Sequence, residues 1–114
     1  MTNFAHGREA EAAAAHYLES QGFTVIAQNW RTKRCEIDIV ATKKRTAYCV
    51  EVKYRQNTQQ GSGLEYITPK KQQQMSFAAE IWAVQNNWKG EIVLSAIEVS
   101  GQNYEITKFI ETIN

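Results

Sequence analysis

Two hydrophobic rhythms alternate along the chain. In residues 8–21, Ala10, Ala13, Ala14, Tyr17 and Leu18 recur at helical spacing and predict an amphipathic helix. Thr2 or Asn3 is placed to cap it, and Gly22 sits where a left-handed C-terminal cap belongs. Residues 23–28 predict a first strand. The runs 35–41 and 47–53 predict a hairpin that turns near Lys44-Arg45. Residues 56–66 are polar, carry glycine and hold almost no aliphatics, which predicts a mobile loop. Thr68-Pro69 then opens a second helix, with Thr as N-cap and Pro at the first helical position. It runs to about Asn86 with Met75, Ala78, Ala79 and Trp82 facing inward. Residues 92–99 predict a fourth strand, Gly101-Gln-Asn103 a turn, and residues 104–110 a fifth strand.

The order is helix, three strands, helix, two strands. A strand–helix–strand crossover brings its strands parallel, whereas a tight hairpin is antiparallel. The expected fold is therefore α/β: one domain over residues 1–114, with a mixed five-stranded sheet flanked by helices.

Period-two alternation makes two short segments conspicuous. Glu36 and Asp38 share one face of the second strand, with Ile37 and Ile39 on the other. Glu51 and Lys53 share one face of the third, with Val50 and Val52 on the other. Acids and lysine are poor strand formers, so their presence on core-facing strands calls for a reason. A divalent cation held between carboxylates, with the lysine beside it, supplies one. Glu11 falls on the apolar face of the first helix, or at its edge, and points toward the sheet. A buried carboxylate without a partner is costly, and a metal shared with Asp38 and Glu51 would be that partner. Hard oxygen ligands of this kind suit Mg²⁺ or Mn²⁺. The plainer reading of Asp38, Glu51 and Lys53 is a cross-strand ladder of surface salt bridges.

If Asp38 and Glu51 face one site, hairpin partners have numbers summing to an odd value near 89. Cys35 then falls opposite Tyr54 and on the other face from Cys49, so both cysteines are expected to be buried free thiols. Neither has a histidine at zinc-site spacing, and neither has the arranged base a nucleophile needs. His6 and His16 are expected to be surface or helix-end residues. Among the tryptophans, Trp82 is expected in the core and Trp30 exposed.

Composition excludes some classes. Hydrophobic content of 43% and charged content of 22% are those of an ordinary globular domain. The longest apolar runs are too short for a membrane span, and the first residues lack a signal-peptide stretch, so a cytoplasmic location is expected. The net charge of +1 conceals an asymmetry. Ten of the thirteen Lys and Arg residues lie in 31–71, among four acids, and the remainder holds three bases and eight acids. Bases gathered around the acidic segments are what a polyanion-binding surface around a metal needs.

Acid, then Asp, then Glu-x-Lys on a strand resembles the PD-(D/E)xK nuclease superfamily. The chain further resembles the YraN family, uncharacterised proteins often described as endonucleases and similar in fold to archaeal Holliday-junction resolvases. The resemblance rests on Gly7-Arg-Glu-Ala-Glu-Ala-Ala-Ala-Ala-His-Tyr-Leu18, Gln28-Asn-Trp-Arg31, Glu36-Ile-Asp-Ile39, Val50-Glu-Val-Lys-Tyr-Arg55 and Thr68-Pro-Lys-Lys71. Ala10, Cys35 and Lys89-Gly-Glu-Ile depart from the family's usual residues, and none of these removes a ligand.

The resemblance implies a restriction-endonuclease-like sheet, metal ligands at Asp38 and Glu51, an assisting acid at Glu11 and a catalytic Lys53. It also implies supporting roles for Glu36, Arg31, Arg55 and Lys71. With Lys70, three of these (Arg31, Arg55 and Lys71) are the expected nucleic-acid contacts. The expected function is Mg²⁺- or Mn²⁺-dependent hydrolysis of DNA phosphodiesters, in branched or structured DNA, with a two-fold dimer as the logical form for paired cuts. The alternatives are a nucleic-acid-binding or protein-interaction module that keeps the fold without turnover, and a phosphodiesterase that acts on RNA or nucleotides.

Overall fold

A computed structural model of the chain describes residues 3–56 and 67–113, with side chains described from His6 onward. Of the expected mobile loop at 56–66, all but Gln56 lies outside the described residues, as does the cap candidate Thr2. The elements are α1 (Asn3–Ser20), β1 (Thr24–Arg31), β2 (Glu36–Lys43), β3 (Thr46–Arg55), α2 (Pro69–Gln85), β4 (Glu91–Ser100) and β5 (Glu105–Ile110). The strands form one five-stranded sheet in the order β1-β2-β3-β4-β5. Only the β3–β4 pair, joined through α2, is parallel; the other neighbours are antiparallel. The mixed sheet between two helices is as the hydrophobic rhythms predict.

Local chemistry explains most boundaries. α1 ends in paired backbone bonds, Phe23 N–H to Leu18 O at 3.0 Å and Gly22 N–H to Glu19 O at 3.1 Å. Gly22 takes φ +92, the left-handed cap that glycine adopts without a Cβ clash. At the start of α2, Thr68 Oγ1 accepts from the Lys71 backbone N–H at 3.1 Å, and Pro69 takes the first turn. The hairpin turns on Lys44 and Arg45, both at positive φ, the twist a two-residue hairpin requires.

α1 begins earlier than its apolar periodicity suggests. Tertiary contact holds the extra turn. The His6 ring stacks on Tyr54 with centroids 4.7 Å apart, and its Nδ1 lies 3.1 Å from the Tyr104 hydroxyl. His6 is thus a packing residue.

The helices cover opposite faces of the sheet. Under α1, Ala10, Ala14 and Leu18 meet Ile39, Ala41, Val50, Ile97 and Val99 in one buried cluster. Under α2, Ala78, Ala79 and Trp82 meet Ile37, Val40, Ala47 and Cys49. A separate small cluster joins Met75, Ala96 and Ile113. Trp88 packs on Trp82 with ring centroids 5.8 Å apart, and Trp30 is half-buried against the same cluster rather than exposed.

The β2–β3 register is the expected one, from Lys43 opposite Thr46 to Ile39 opposite Val50. There the ladder stops, although β2 continues to pair with β1 and β3 with β4. Freed from the shared ladder, β2 also breaks its alternation. Ile37 packs on the α2 side and Ile39 on the α1 side, where strict period two would have kept them together. The same break brings Cys35 to the α2-side cluster that holds Cys49, so the two cysteines do not lie on opposite faces. Both are nevertheless free thiols, and burial pushes Cys49 up to about 12, which leaves it inert.

Candidate metal and nucleic-acid site

The fork between β2 and β3 places the acids. Beyond Val50, the β3 backbone has lost its β2 partner, and a buried N–H must find another. Asp38 supplies it: Oδ2 accepts from the Val52 N–H at 2.8 Å. One carboxylate oxygen is thereby fixed by the backbone, and Asp38 is locked at the mouth of the fork. Glu51 lies on β3 just past the last paired residue. Asp38 and Glu51 both line a cavity of about 560 Å³ between the fork and the first turns of α2. Glu36, Arg34, Cys35, Lys70, Lys71 and Phe77 also form its walls.

The electrostatics show a surplus of negative charge. Burial, first, and then the Glu51 carboxylate push Asp38 up to about 7 from an ordinary 3.8, with Glu11 and Glu36 adding to the effect and the Val52 hydrogen bond opposing it. Burial likewise raises Glu11, offset in part by Asn29, with Glu36 and Glu51 adding to the rise and Arg31 opposing it. Glu11 Oε1 is buried without a hydrogen-bond partner. Buried carboxylates that repel one another and leave an oxygen unused have the donor chemistry of a hard divalent cation site. Asp38 and Glu51 share the cavity, with the exposed Glu36 at its wall. Glu11 lies outside its walls and reaches the pair through its field. Among the described residues, no three His, Cys, Asp or Glu side chains are arranged to hold an ion as they stand.

The expected cations are distributed unequally. Lys71 Nζ lies 3.0 Å from Glu51 Oε2 and bridges α2 to β3. Lys70 lines the cavity from the same turn and is exposed. Lys53 is exposed and follows Glu51 on the α2-facing side of β3, its Cα paired with that of Glu98. Arg31 pairs with Glu36 at 3.7 Å across the β1–β2 ladder, with both side chains about two-thirds exposed, so the contact contributes little. Glu36 thus has Arg31 as its ion partner.

Arg55 is mostly buried. Its Nε lies 3.3 Å from Glu98 Oε2, close enough for charge attraction although neither atom completes a hydrogen bond. Glu98 is 6% exposed and also accepts from Thr107 Oγ1 at 2.9 Å through Oε1. This Arg55–Glu98–Thr107 group adjoins Lys53 on the sheet, and sequence reasoning missed it. Its one signal is an acid between Ile97 and Val99, which becomes telling only once the parallel β3–β4 register is known. Phe77, 40% exposed at the cavity wall with the Arg34 guanidinium 6.0 Å from its ring centroid, was missed too.

A mixed sheet between two helices, with an acid pair in a forked hairpin, is consistent with the nuclease-like class of α/β folds. Comparison with known proteins identifies the family. Residues 10–106 match the model of "Uncharacterised protein family UPF0102", and the chain belongs to that family, the one its motifs resemble under the name YraN. A UPF0102 protein of Pseudomonas fluorescens is 45% identical over 74 residues, 65% of this chain and 62% of that protein. One from Cytophaga hutchinsonii is 30% identical over 106 residues, 93% of this chain and 94% of its own length. One from Leifsonia xyli is 48% identical over 65 residues, 57% of this chain and 55% of its own. The match thus spans under two-thirds of the Pseudomonas and Leifsonia proteins and nearly all of the Cytophaga one. Among the described residues, no helix is long and apolar enough to cross a membrane.

Proposed function

We propose that this protein is a metal-dependent endonuclease that hydrolyses phosphodiester bonds of DNA in the cytoplasm, with branched or otherwise structured DNA as its substrate. The observation that carries this reading is the pairing of Asp38 and Glu51 in one cavity, where their charges oppose each other and a row of bases lines the rim. Asp38 and Glu51 would hold Mg²⁺ or Mn²⁺, with water completing the shell and Glu11 adding negative field. Such an ion, when bound, supplies Lewis acidity toward a phosphoryl oxygen and a more acidic water.

The chain's own residues do the rest. The Val52 N–H fixes the orientation of Asp38 at the cavity wall through one oxygen and leaves the other for a cation. Lys53, one step beyond Glu51 on the same side of the strand, balances charge that develops on the phosphate. Lys70 and Lys71 at the cavity, and Arg31 at the exposed end of β1, meet the backbone phosphates. Arg55, held by Glu98, supports the strand that carries Glu51 and Lys53. Phosphate contacts of this kind make binding fall steeply with added salt.

The test is cleavage of labelled four-way junction, flap, duplex and single-stranded DNA in Mg²⁺ and Mn²⁺, with RNA counterparts alongside. Cleavage should require metal and vanish in Asp38→Ala and Lys53→Ala. Cleavage that persists equally in both variants would remove the catalytic assignment. Binding without cleavage in every metal would favour the second reading, a nucleic-acid-binding module without turnover, which the existing Lys71–Glu51 pairing also fits.

A further inference from the structure

Lys71 occupies an unusual place for a cation. It lies in the first turn of α2, where its backbone N–H bonds the Thr68 cap. That end of a helix carries the positive pole of the macrodipole and disfavours an ammonium unless an acid holds it. Glu51 is the acid that holds it. The two side chains are 32% and 21% exposed and their charged atoms are 3.0 Å apart, so the contact is sheltered rather than a loose surface pair. The oxygen it occupies, Oε2, belongs to the same carboxylate that shares the cavity with Asp38. An ammonium and a divalent cation cannot both sit against that oxygen without strong repulsion. The neighbouring Lys70 lines the same cavity but the ion pair to Glu51 is made by Lys71.

We propose that Lys71 is an exchangeable counter-ion: its ammonium neutralises Glu51 in the metal-free protein, and a divalent cation bound by Asp38 and Glu51 displaces it to the cavity rim. There the freed ammonium faces the position of a nucleic-acid phosphate. The ammonium that neutralises Glu51 thus becomes a ligand for substrate once the metal is in, which couples metal loading to substrate binding. The proposal rests on the metal-site reading above and adds a direction to it, because Lys71 opposes metal binding instead of assisting it.

Mn²⁺ binding to the full chain, followed by titration calorimetry and by the electron paramagnetic resonance of free Mn²⁺, tests this without any activity assay. Lys71→Met should bind Mn²⁺ about tenfold more tightly than the parent, roughly 1.4 kcal/mol, and Lys70→Met should change little. In the parent chain, Mg²⁺ should raise the rate at which Lys71 is reductively methylated, read by mass spectrometry, and leave Lys70 unchanged. This second readout needs no variant to fold. If the parent binds Mn²⁺ but Lys71→Met binds equally or more weakly, Lys71 positions Glu51 and the exchange idea is wrong while the metal site stands. If neither the parent nor any variant binds Mn²⁺, both fail together.

Discussion

On the face covered by α1, side chains from all five strands meet in one apolar cluster with Ala10, Ala14 and Leu18, and its members such as Ile39, Val40's neighbour Ala41 and Ile97 are sealed from solvent. The face covered by α2 is built from the same strands and the alternate residues, yet its apolar packing is divided into two clusters. Glu51, Lys53, Arg55 and Glu98 lie on that face, and Lys71 reaches down to Glu51. One sheet therefore has a dry side that holds the fold and a charged side that is electrostatically strained. The comparison teaches that the site is confined to where the β2–β3 ladder ends. From Ala41–Tyr48 to Ile39–Val50 the paired hairpin buries apolar side chains on both faces; past Ile39–Val50 the backbone opens and the acids enter.

If that division is right, substitutions on the two faces should separate stability from binding. Ile97→Ala on the dry side should lower the unfolding free energy by roughly 2–5 kcal/mol. Denaturant unfolding would show this, and Mn²⁺ affinity of the folded fraction should stay the same. Asp38→Asn, which keeps an acceptor for the Val52 N–H, and Glu51→Ala should do the reverse, weakening Mn²⁺ binding by about 100-fold or more with little loss of thermal stability. A large fall in melting temperature for Glu51→Ala would instead make the Glu51–Lys71 pair part of the scaffold.

A pH series sharpens the same contrast. An acid whose pKa rises on folding binds its proton more tightly in the folded state. Its contribution stabilises fully below the unfolded value of 3.8 and is lost as pH climbs through about 7. Asp38→Asn keeps an oxygen to accept from Val52 N–H but carries no charge. The variant should match the parent near pH 4 and become the more stable of the two by pH 8 in the absence of metal. Metal affinity of the parent should rise over that interval as the carboxylate loses its proton. Equal stability of the two chains at every pH would place Asp38 in an ordinary solvated setting. The smallest effect is expected at the helix start: Thr68→Ala should cost about 1 kcal/mol through the lost cap, visible as a modest drop in unfolding midpoint.

Much of this arrangement was legible in the chain because it is written locally. Thr68-Pro69, Gly22 and the Lys44-Arg45 turn carry their own backbone chemistry, and the hairpin register followed from requiring Asp38 and Glu51 to face one site. The faces of Ile37 and Cys35 were not legible, since period two assumes a continuous ladder and β2 leaves β3 at Ile39. Glu98 was hidden for a different reason. Its partners Arg55 and Thr107 come from the neighbouring strands on either side, and only the β3–β4 and β4–β5 registers bring them together. Trp30 looked exposed because its neighbours Gln28 and Asn29 are polar, but its strand partner Ile37 carries it onto the α2-side cluster.

The central claim, that Asp38 and Glu51 grip a common cation, is tested most directly by a crystal soaked in Mn²⁺ and measured for anomalous scattering. A peak between the two carboxylates, about 2.0–2.2 Å from an oxygen of each, with Lys71 withdrawn from Glu51, is the predicted result. A map without a peak in that cavity at saturating Mn²⁺, with the Lys71–Glu51 contact still closed, would contradict the account.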